Sequence, residues 1–575
     1  MNVVLKPDQL NPNALRGRHA TVLLAILVSL AGVVPFLSCL NWYFMSDDFG
    51  VVQFLFQRPP PYVFSLFTHP WTDSIYGVPA DELRPTVALA FQVSSLLGST
   101  SPIPYHAISI AVHGLNILLV FAIARQLARL SLIASGFAAI LFAVLPIHAE
   151  TLGWLQGMSD SVPTLFYIAS FLAYAMWRKA GLARLYWLAC ILFFLALFSK
   201  QSAITMLLTL LSYDILVEHK LPRFKFASLA AYLPFLLLTT AYLIERRILF
   251  GNMVREAGIA PAHSLLWFGA VQTSAVQELL FGGRVLALDR FHEPETTDFR
   301  SIAALVYSGA GLCGALLLTA FAYTQFRRAM HTRMATIAQL IAYFGPIWWL
   351  ISTIPLTVTY DSPRHLYLAS VGVTIMLGLC LDELLRRTHG YQRRAVPLAG
   401  IAVVLAAALM LQSHLAHWNT GEAVSRQIMN DITQEASIAP TRSLVVLGAP
   451  AGASAWSWAL PFAVQPPFAD TDLRERLHII YPLGIHCCQG SQSLRTQWLE
   501  QTRETINAWA NEPDQPPAVA LSWDSAKGTL TRQSESQATS LRPRLLRLLD
   551  LNTVEEMQSQ LDEILHEPSN NLSYR

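Results

Sequence analysis

Two adjacent carboxylates, Asp47 and Asp48, follow directly after the first long apolar run of the chain, in the sequence WYFMSDDFG. Acidic side chains beside a hydrophobic segment are costly to keep charged, so they are candidates for function by default. A carboxylate in such a place can act as a general base that takes a proton from a hydroxyl group. The structural alternative is that the pair anchors the chain at an interface or begins a helix. The residue types alone leave both interpretations open.

Three cations stand at comparable positions beside other apolar runs. They are Arg84 in RPTVALAFQ, Lys200 in FSKQSA and Arg364 in YDSPRHLYLAS. Cationic side chains suit an anionic ligand, and a guanidinium group can bind a phosphate through two parallel hydrogen bonds. The alternatives are a surface arginine at position 84 and, for Arg364, an ion pair with Asp361 that orders the loop.

Further polar residues lie in or beside apolar runs and are predicted to line a substrate pocket. They are His106, His148, Glu150, Asp160, His365 and Tyr367. A single histidine in a membrane segment is more often a packed hydrogen-bonding group than a ligand. Their spacing matches no zinc pattern, and the six cysteines include no CxxC. The sequence therefore predicts no metal site and no cofactor.

The composition indicates that lipid, rather than water, surrounds most of the chain. Of 575 residues, 53% are hydrophobic and 14% are charged, and the mean hydropathy is +0.40. Soluble domains carry about 25% charged residues. With a net charge of +2, the chain has no basic excess that would indicate nucleic acid as a partner. These values exclude an ordinary soluble globule and predict an all-α polytopic membrane protein.

Apolar runs of about 20 residues are long enough to cross a bilayer. The sequence predicts eleven spans, at 20–43, 104–124, 132–149, 161–177, 185–199, 202–217, 226–244, 301–324, 336–356, 365–384 and 396–413. Lysine and arginine are concentrated in alternate loops, which predicts a cytoplasmic N-terminus and an external C-terminus.

Two further apolar stretches are predicted not to cross the membrane. Residues 85–97 are too short to span and are expected to lie along the membrane face. Residues 263–282 would place the later arginine-rich loops outside if they spanned, so they are predicted to form an amphipathic or re-entrant helix.

The predicted organisation has three parts. Residues 1–19 form a cytoplasmic N-terminus. Residues 20–415 form a transmembrane catalytic domain, with outer loops at 44–103 and 245–300. Residues 420–575 are polar and are predicted to form a small soluble α/β domain outside the membrane.

An ordered set of motifs resembles the GT-C superfamily of membrane glycosyltransferases. The motifs are DD after the first span, RPT…LLGSTSPIPYHAISIAVHGLN, FAVLPIHAETLGWLQGMSD, FSKQSAI and PRHLYLAS. Within that superfamily, the chain is most similar to the membrane half of the O-mannosyltransferases that carry tetratricopeptide repeats, and to their bacterial relatives. The resemblance covers roughly residues 20–385, and the repeat array of those enzymes is absent from this sequence.

The resemblance implies a polyprenyl-phosphate sugar donor and an active site at the outer face of a bacterial inner membrane, with the C-terminal part in the periplasm. It implies that Asp47, with Asp48 as the alternative, is the base, and that Arg364 meets the donor phosphate. The acceptor is left open as a protein, lipid or glycan. The competing hypothesis is a transporter or flippase of a lipid-linked saccharide, although the sequence shows no inverted repeat.

Overall fold

The structure is a computed structural model of the chain. It describes residues 12–74, 82–218, 230–254, 265–282, 302–331, 336–357, 362–448, 456–480, 492–510, 518–524 and 527–565.

Helices account for most of the described residues up to residue 438. They are α1 (Pro12–Val33), α2 (Asp48–Phe56), α3 (Pro85–Gly98), α4 (Pro102–Gln126), α5 (Leu132–Ala143), α6 (His148–Gly153), α7 (Met158–Ala180), α8 (Ala183–Leu197), α9 (Met206–Leu216), α10 (Leu233–Phe250), α11 (Leu265–Phe281), α12 (Ile302–His331), α13 (Thr336–Ala342), α14 (Trp348–Thr353), α15 (Tyr367–Arg387) and α16 (Gly390–Ile438). A helix overlaps each predicted span, so the prediction of a helical membrane half is confirmed.

Five helical segments are long and apolar enough to cross a bilayer. They are His19–Asn41, Pro102–Gln126, Ile337–Thr357, Pro363–Arg387 and a window within Gly390–Ile438. Other apolar helices, such as α5 and α8, have only 12 and 15 residues. The chain is therefore a multi-pass membrane protein, whereas the number of eleven spans and the orientation stay predictions.

The segment predicted to be amphipathic or re-entrant forms α11. At its start, Trp267 Nε1 donates to the carbonyl of Thr357 at 3.0 Å. At its end, the ring Nε2 of His414 lies 2.7 Å from the carbonyl oxygen of Phe281. Thr357 and His414 directly follow the predicted spans 336–356 and 396–413, both of which end on the outer side in the predicted topology. This arrangement agrees with a helix that starts and finishes on one side of the bundle.

Helices α11 and α12 cross where two glycines meet. A Cβ atom at Gly311 would lie 1.6 Å from the carbonyl oxygen of Gly269. We expect Gly311→Ala to lower the free energy of unfolding by about 2 kcal/mol, because the helices must separate. Gly314→Ala is the control, since a Cβ there meets nothing within 4 Å. Thermal unfolding in detergent measures both variants, and equal midpoints would contradict the close crossing.

The remaining described elements build a small α/β unit after α16. They are β1 (Leu444–Leu447), α17 (Trp456–Ala463), β2 (Leu477–Ile480), α18 (Gln492–Ala510), β3 (Val519–Asp524), β4 (Thr529–Arg532), α19 (Glu535–Arg547) and α20 (Val554–Leu565). The strand order is β2-β1-β3-β4, with β1 parallel to β2 and β3 and with β4 antiparallel to β3.

Both faces of the sheet are covered. Val445 and Leu447 of β1 point into a core that includes side chains of α18, α19 and α20. Leu444 and Val446 point the other way, into a core that they share with Phe44 and Phe49 of the segment predicted to be the first outer loop. Alternate residues of a strand face opposite sides, which produces this division. The small α/β unit therefore packs directly on the loop that carries the paired carboxylates. The predicted domain boundary between 415 and 420 falls inside α16, a continuous helix of 49 residues.

Candidate active site

The two adjacent carboxylates occupy different environments at the start of α2. Asp47 is the residue that precedes the helix, and it is partly exposed, whereas Asp48 is fully buried in the first turn. The backbone N–H of Met45 donates to Asp48 Oδ2 at 3.0 Å, closing a tight turn. Ser46 within that turn has a positive φ of 50°. Burial and this hydrogen bond indicate that Asp48 stabilises the turn. Asp47 lies near the charged side chains of Arg364, Glu82 and Arg84.

The same difference is seen in the electrostatics. Burial raises the pKa of Asp47 to about 6, and the nearby Arg364 guanidinium acts in the opposite direction. Burial also raises the pKa of Asp48 well above its usual range, against the backbone hydrogen bond from Met45. At neutral pH, Asp47 is mostly ionised and can accept a proton, whereas burial favours the neutral form of Asp48.

Arg364 is the most heavily bonded cation of the site. Its Nη1 lies 2.8 Å from Glu150 Oε1, and its Nε lies 3.5 Å from Asp160 Oδ2. Its backbone N–H also donates to Glu150 Oε2 at 3.2 Å. The guanidinium carbon is 4.6 Å from the centre of the Trp154 ring. These contacts fix the guanidinium group before any ligand arrives.

The alternative pairing of Arg364 with Asp361 falls outside the described residues. In the described part of the chain, Arg364 pairs with Glu150 and Asp160 instead. The Ser362 hydroxyl donates to the Glu150 carboxylate at 2.6 Å, so the loop before Arg364 is held by the same glutamate.

Lys200 joins the cluster through Asp160. Its Nζ lies 2.5 Å from Asp160 Oδ1. Burial lowers the pKa of Lys200 to about 8, with Asp160 opposing the shift and with Arg84 and Arg364 adding to it. The lysine is therefore charged at neutral pH but loses its charge at a pH that many assays can reach.

Arg84 lies next to Lys200 because α3 begins against the end of α8. The Thr86 hydroxyl and the Thr86 backbone N–H both donate to the carbonyl oxygen of Phe198, at 2.9 and 3.2 Å. Arg84 itself is ion-paired with Glu82 at 2.8 Å.

A cavity opens between these charges and the ends of the neighbouring helices. Its lining residues are Glu82, Leu83, Arg84, Asp160, Pro163, Thr164, Tyr167, Lys200, Gln201, Ser202, Ala203, Tyr242, Arg246, Ser352, Pro355, Leu356, His365 and Leu368. Four residues predicted for the site, Arg84, Asp160, Lys200 and His365, are among them. Arg364 is bonded to Asp160 and so adjoins the cavity, with Glu150 behind it.

The other three predicted pocket residues lie in buried packing and are not among the lining residues. His106 is 1% exposed and His148 is 0% exposed. The Tyr367 hydroxyl lies 2.6 Å from His113 Nδ1, and the His148 ring centre is 4.6 Å from that of Tyr367. The pair of His113 and Tyr367 thus has the packed hydrogen-bonding role weighed in the sequence, whereas His106 and His148 are buried by packing. A substrate contact by His106, His148 or Tyr367 stays a prediction.

Sequence reasoning missed three residues of the site. Arg246 and Tyr242 line the cavity from α10 and are 1% exposed. Trp154 covers the Arg364 guanidinium group. A signal existed for Arg246, because it lies near the end of an apolar run, AYLIERRILF, where a charge is costly. No local signal marked Trp154 or Tyr242.

Among the described residues, several cations and carboxylates meet in this region, beside Asp48, whose pKa is raised by burial. The cations are Arg84, Lys200, Arg246 and Arg364, and the carboxylates are Asp47, Glu82, Glu150 and Asp160. Among the described residues, no group of three or more His, Cys, Asp or Glu side chains has the geometry of a metal site. The arrangement can bind an anionic group near Lys200 and Arg364. Asp47 is close enough for the Arg364 charge to act on its pKa but is not among the residues that line the cavity.

Animal O-mannosyl-transferases are similar to this chain in sequence. The chain is 28% identical to the protein O-mannosyl-transferase tmtc2 of Xenopus laevis over 215 residues, or 34% of this chain and 24% of that protein. It is 35% identical to the protein O-mannosyl-transferase Tmtc1 of Drosophila melanogaster over 130 residues, or 22% of this chain and 14% of that protein. The chain thus spans a quarter or less of these relatives. The resemblance drawn from the motifs is confirmed. No family model matches the chain.

Two solved structures align with most of this chain. ArnT from Cupriavidus metallidurans, bound to undecaprenyl phosphate, aligns with a TM-score of 0.46 at 13% identity, over 90% of this chain and 94% of that chain. AglB from Archaeoglobus fulgidus, in complex with an inhibitory peptide and a dolichol-phosphate, aligns with a TM-score of 0.46 at 11% identity, over 90% of this chain and 75% of that chain. Both TM-scores are below 0.5, so neither alignment indicates the chemistry of this chain.

Proposed function

We propose that this chain is a membrane glycosyltransferase that moves a sugar from a polyprenyl-phosphate donor to an acceptor hydroxyl. Transfer takes place at the outer face of a bacterial inner membrane, with the C-terminal α/β unit in the periplasm. The reaction inverts the configuration of the anomeric carbon.

One observation carries this proposal. The turn that carries Asp47 and the arginine of the PRHLYL motif contact the same tryptophan, although they are distant in the sequence. Trp154 Nε1 donates to the carbonyl oxygen of Met45 at 3.3 Å, and the Arg364 guanidinium carbon lies 4.6 Å from the Trp154 ring centre. Lys200 and Arg84 belong to the same electrostatic cluster. A base beside fixed cations is the arrangement needed when a hydroxyl attacks a carbon that bears a phosphate leaving group.

The proposed step is a direct displacement. Asp47 accepts the acceptor's hydroxyl proton as the new oxygen–carbon bond forms at the anomeric carbon. The bond from that carbon to the donor phosphate oxygen breaks, and its electron pair stays with the phosphate. Asp47 becomes neutral while the leaving phosphate gains one negative charge. The total charge near the fixed cations is therefore unchanged, and Arg364 and Lys200 stabilise the charge at its new position.

The structure gives a reason to choose Asp47 over Asp48 as the base. Asp47 is the partly exposed member of the pair, and its pKa of about 6 leaves it ionised at neutral pH. Asp48 is fully buried and is bonded to the backbone of its own turn. A general base works best with a pKa near the working pH.

The names of the sequence relatives suggest the substrates to test first. Those proteins are O-mannosyl-transferases of proteins, so mannose is the first sugar and a serine or threonine hydroxyl the first acceptor for this chain. Lipid and glycan hydroxyls remain the other acceptor classes to test. The matches cover 24% and 14% of the two relatives, so the acceptor of those proteins need not be the acceptor of this chain.

The direct experiment uses the full chain in lipid nanodiscs with a polyprenyl-phosphate mannose that is radiolabelled in the sugar. We expect label to pass to peptide acceptors and polyprenyl phosphate to be released. Label that crosses the bilayer of a proteoliposome while it stays on the donor would contradict transfer and support the flippase hypothesis.

Lys200 makes a separate prediction about alkaline pH. Its pKa of about 8 means that the ammonium group is charged below that pH and neutral above it. We therefore expect the KM for the donor to rise as the pH increases through about 8. Lys200→Arg should keep a charge throughout, because a guanidinium group titrates above pH 12, and the KM should then stay flat. A KM of the native chain that does not change between pH 7 and 9 would contradict a phosphate contact by Lys200.

A further inference from the structure

The outer half of α16 touches both sides of the candidate active site through one face. Trp418, Glu422 and Ser425 are four and three residues apart, which places them on the same side of the helix. Glu422 is 9% exposed and Ser425 is 0% exposed, so this face is covered by other parts of the chain. The covering parts are the segment before Asp47 and the segment beneath Arg364.

The first contact is with the backbone that leads to Asp47. Glu422 Oε2 accepts a hydrogen bond from the backbone N–H of Tyr43 at 3.0 Å. The Ser425 hydroxyl donates to the carbonyl oxygen of Phe44. Arg426 Nη2 donates to the carbonyl oxygen of Asn41 at 2.7 Å. Three polar contacts thus hold the chain a few residues before the carboxylate turn.

The second contact is with Trp154, the ring against which the Arg364 guanidinium group lies. Trp418 stacks on Trp154 with ring centres 6.2 Å apart and an interplanar angle of 14°. The Arg364 guanidinium carbon lies 4.6 Å from the Trp154 ring centre, so the two tryptophans and the arginine form a continuous series. Trp154 Nε1 also donates to the carbonyl oxygen of Met45 at 3.3 Å, two residues before Asp47.

A glycine makes room for this stack. A Cβ atom at Gly153 would lie 3.2 Å from Trp418 Cβ and Cγ and 3.0 Å from the Trp42 ring. A side chain at position 153 would therefore require the neighbouring tryptophans to move by a few tenths of an ångström.

We propose that the outer half of α16 is a positioning element that sets the separation between Asp47 and Arg364, with Trp418 as the main positioning residue. This inference rests on the proposed function, because the separation matters only if both groups serve one reaction. A base and a phosphate-binding cation must be held in fixed geometry, and α16 is one continuous helix that contacts the supports of both. The C-terminal part of the chain is thereby a component of the active site.

The test compares Trp418→Ala with Asn419→Ala in the full chain. Asn419 is the next residue on α16 and is exposed, so its replacement should change nothing. Trp418→Ala should lower kcat by about 10-fold to 100-fold, the range expected for a misplacement near 1 Å. The KM for the acceptor should change little, and Trp418→Phe should restore most of the rate because it restores a stacking ring.

The pH profile separates a positioning role from general damage. Arg364 holds down the pKa of Asp47, so an arginine that moves away lets this pKa rise above about 6. The acidic limb of kcat/KM should then shift to higher pH in Trp418→Ala. Simple loss of folded protein would lower the whole profile without moving the limb.

Hydrogen exchange gives a measurement that does not depend on activity. Trp418→Ala should increase exchange in residues 42–56 and 148–157, whereas Asn419→Ala should not. If Trp418→Ala does not fold, Gly153→Ala presses on Trp418 and on Trp42 and should change the acidic limb and the exchange in the same direction, by a smaller amount. A native chain without transfer activity would refute the proposed function. The exchange data would still decide whether α16 holds the segments that support Asp47 and Arg364. An active native chain with unchanged exchange and an unmoved acidic limb in these variants would overturn the inference.

Discussion

Replacing Asp47 by asparagine is expected to lower kcat by about 100-fold or more, the usual contribution of a general base. The amide has the shape of the carboxylate but cannot accept the proton that the acceptor hydroxyl must lose. The KM for the donor should change much less, because the donor phosphate is held by the cations. Steady-state kinetics of the purified chain with labelled donor would measure both quantities.

Asp48→Asn is the matched comparison, because the two residues are adjacent and the chemical change is identical. Burial favours the neutral form of Asp48, and an amide oxygen can still accept the hydrogen bond from Met45. We therefore expect a loss of less than about 10-fold, below the range of a general base. The reverse pattern, an active Asp47→Asn with an inactive Asp48→Asn, would transfer the role to Asp48. Full activity in both variants would refute the mechanism.

The pH dependence of the native chain provides a second measure of the same group. Asp47 must be deprotonated to act as a base, and its pKa is about 6. Activity should therefore fall as the pH decreases through about 6, and not through the value near 4 that an exposed aspartate would give. An acidic limb that remains in Asp47→Asn, measured on its residual activity, would have to be assigned to another group.

Replacing Arg364 by alanine should have the second large effect, on both activity and stability. Arg364 neutralises Glu150 and lies near Asp160, and its own side chain is only 9% exposed. Removing one partner of a buried ion pair leaves an uncompensated charge, which costs about 3 kcal/mol or more. We expect a lower midpoint of thermal unfolding and a fall in kcat of about 100-fold, comparable to the loss of one oxyanion-stabilising group.

Arg364→Lys separates charge from geometry. A lysine keeps the positive charge but has neither the planar fork nor the flat face that lies over Trp154. The free energy of unfolding of Arg364→Lys should therefore be closer to that of the native chain than to that of the alanine variant. Its kcat should remain at least about 10-fold below the native value, because lysine cannot bind a phosphate through two parallel hydrogen bonds. Arg386→Lys, at the far end of α15, is the control, because Arg386 is 58% exposed and its ion pair among the described residues is with Asp382 one turn away. Native activity in Arg364→Lys would argue against a two-bonded phosphate contact.

The helical membrane half could be predicted because hydropathy is a local property. A run such as 104–124 is apolar enough to require a helix in lipid, and α4 covers it with Pro102–Gln126. The number of spans was harder to predict, since helices such as α5 and α8 are too short to cross a bilayer by themselves. Whether a short helix crosses depends on its neighbours, which a window of the sequence does not contain.

Part of the candidate site could also be read from residue types. Burying a charge at the end of an apolar run costs free energy, so charged side chains there, such as Lys200 and Arg364, are candidates for a functional role. The histidines could not be assigned in this way. His106 and His148 have the same residue type as a catalytic group, and only the packing around each ring shows that it is buried away from the cavity.

The sequence by itself determined that the chain is a helical membrane protein, and it identified which acids and cations lie next to apolar runs. Both are consequences of transferring side chains between water and lipid, which depends on residue type and local order. Only the tertiary structure decided which carboxylate is exposed to the cluster, which acids hold Arg364, and that α16 supports both sides of the site. Those facts depend on distances between residues far apart in the chain, such as Trp154 and Trp418. Such distances are fixed by packing, so no local pattern of residues contains them.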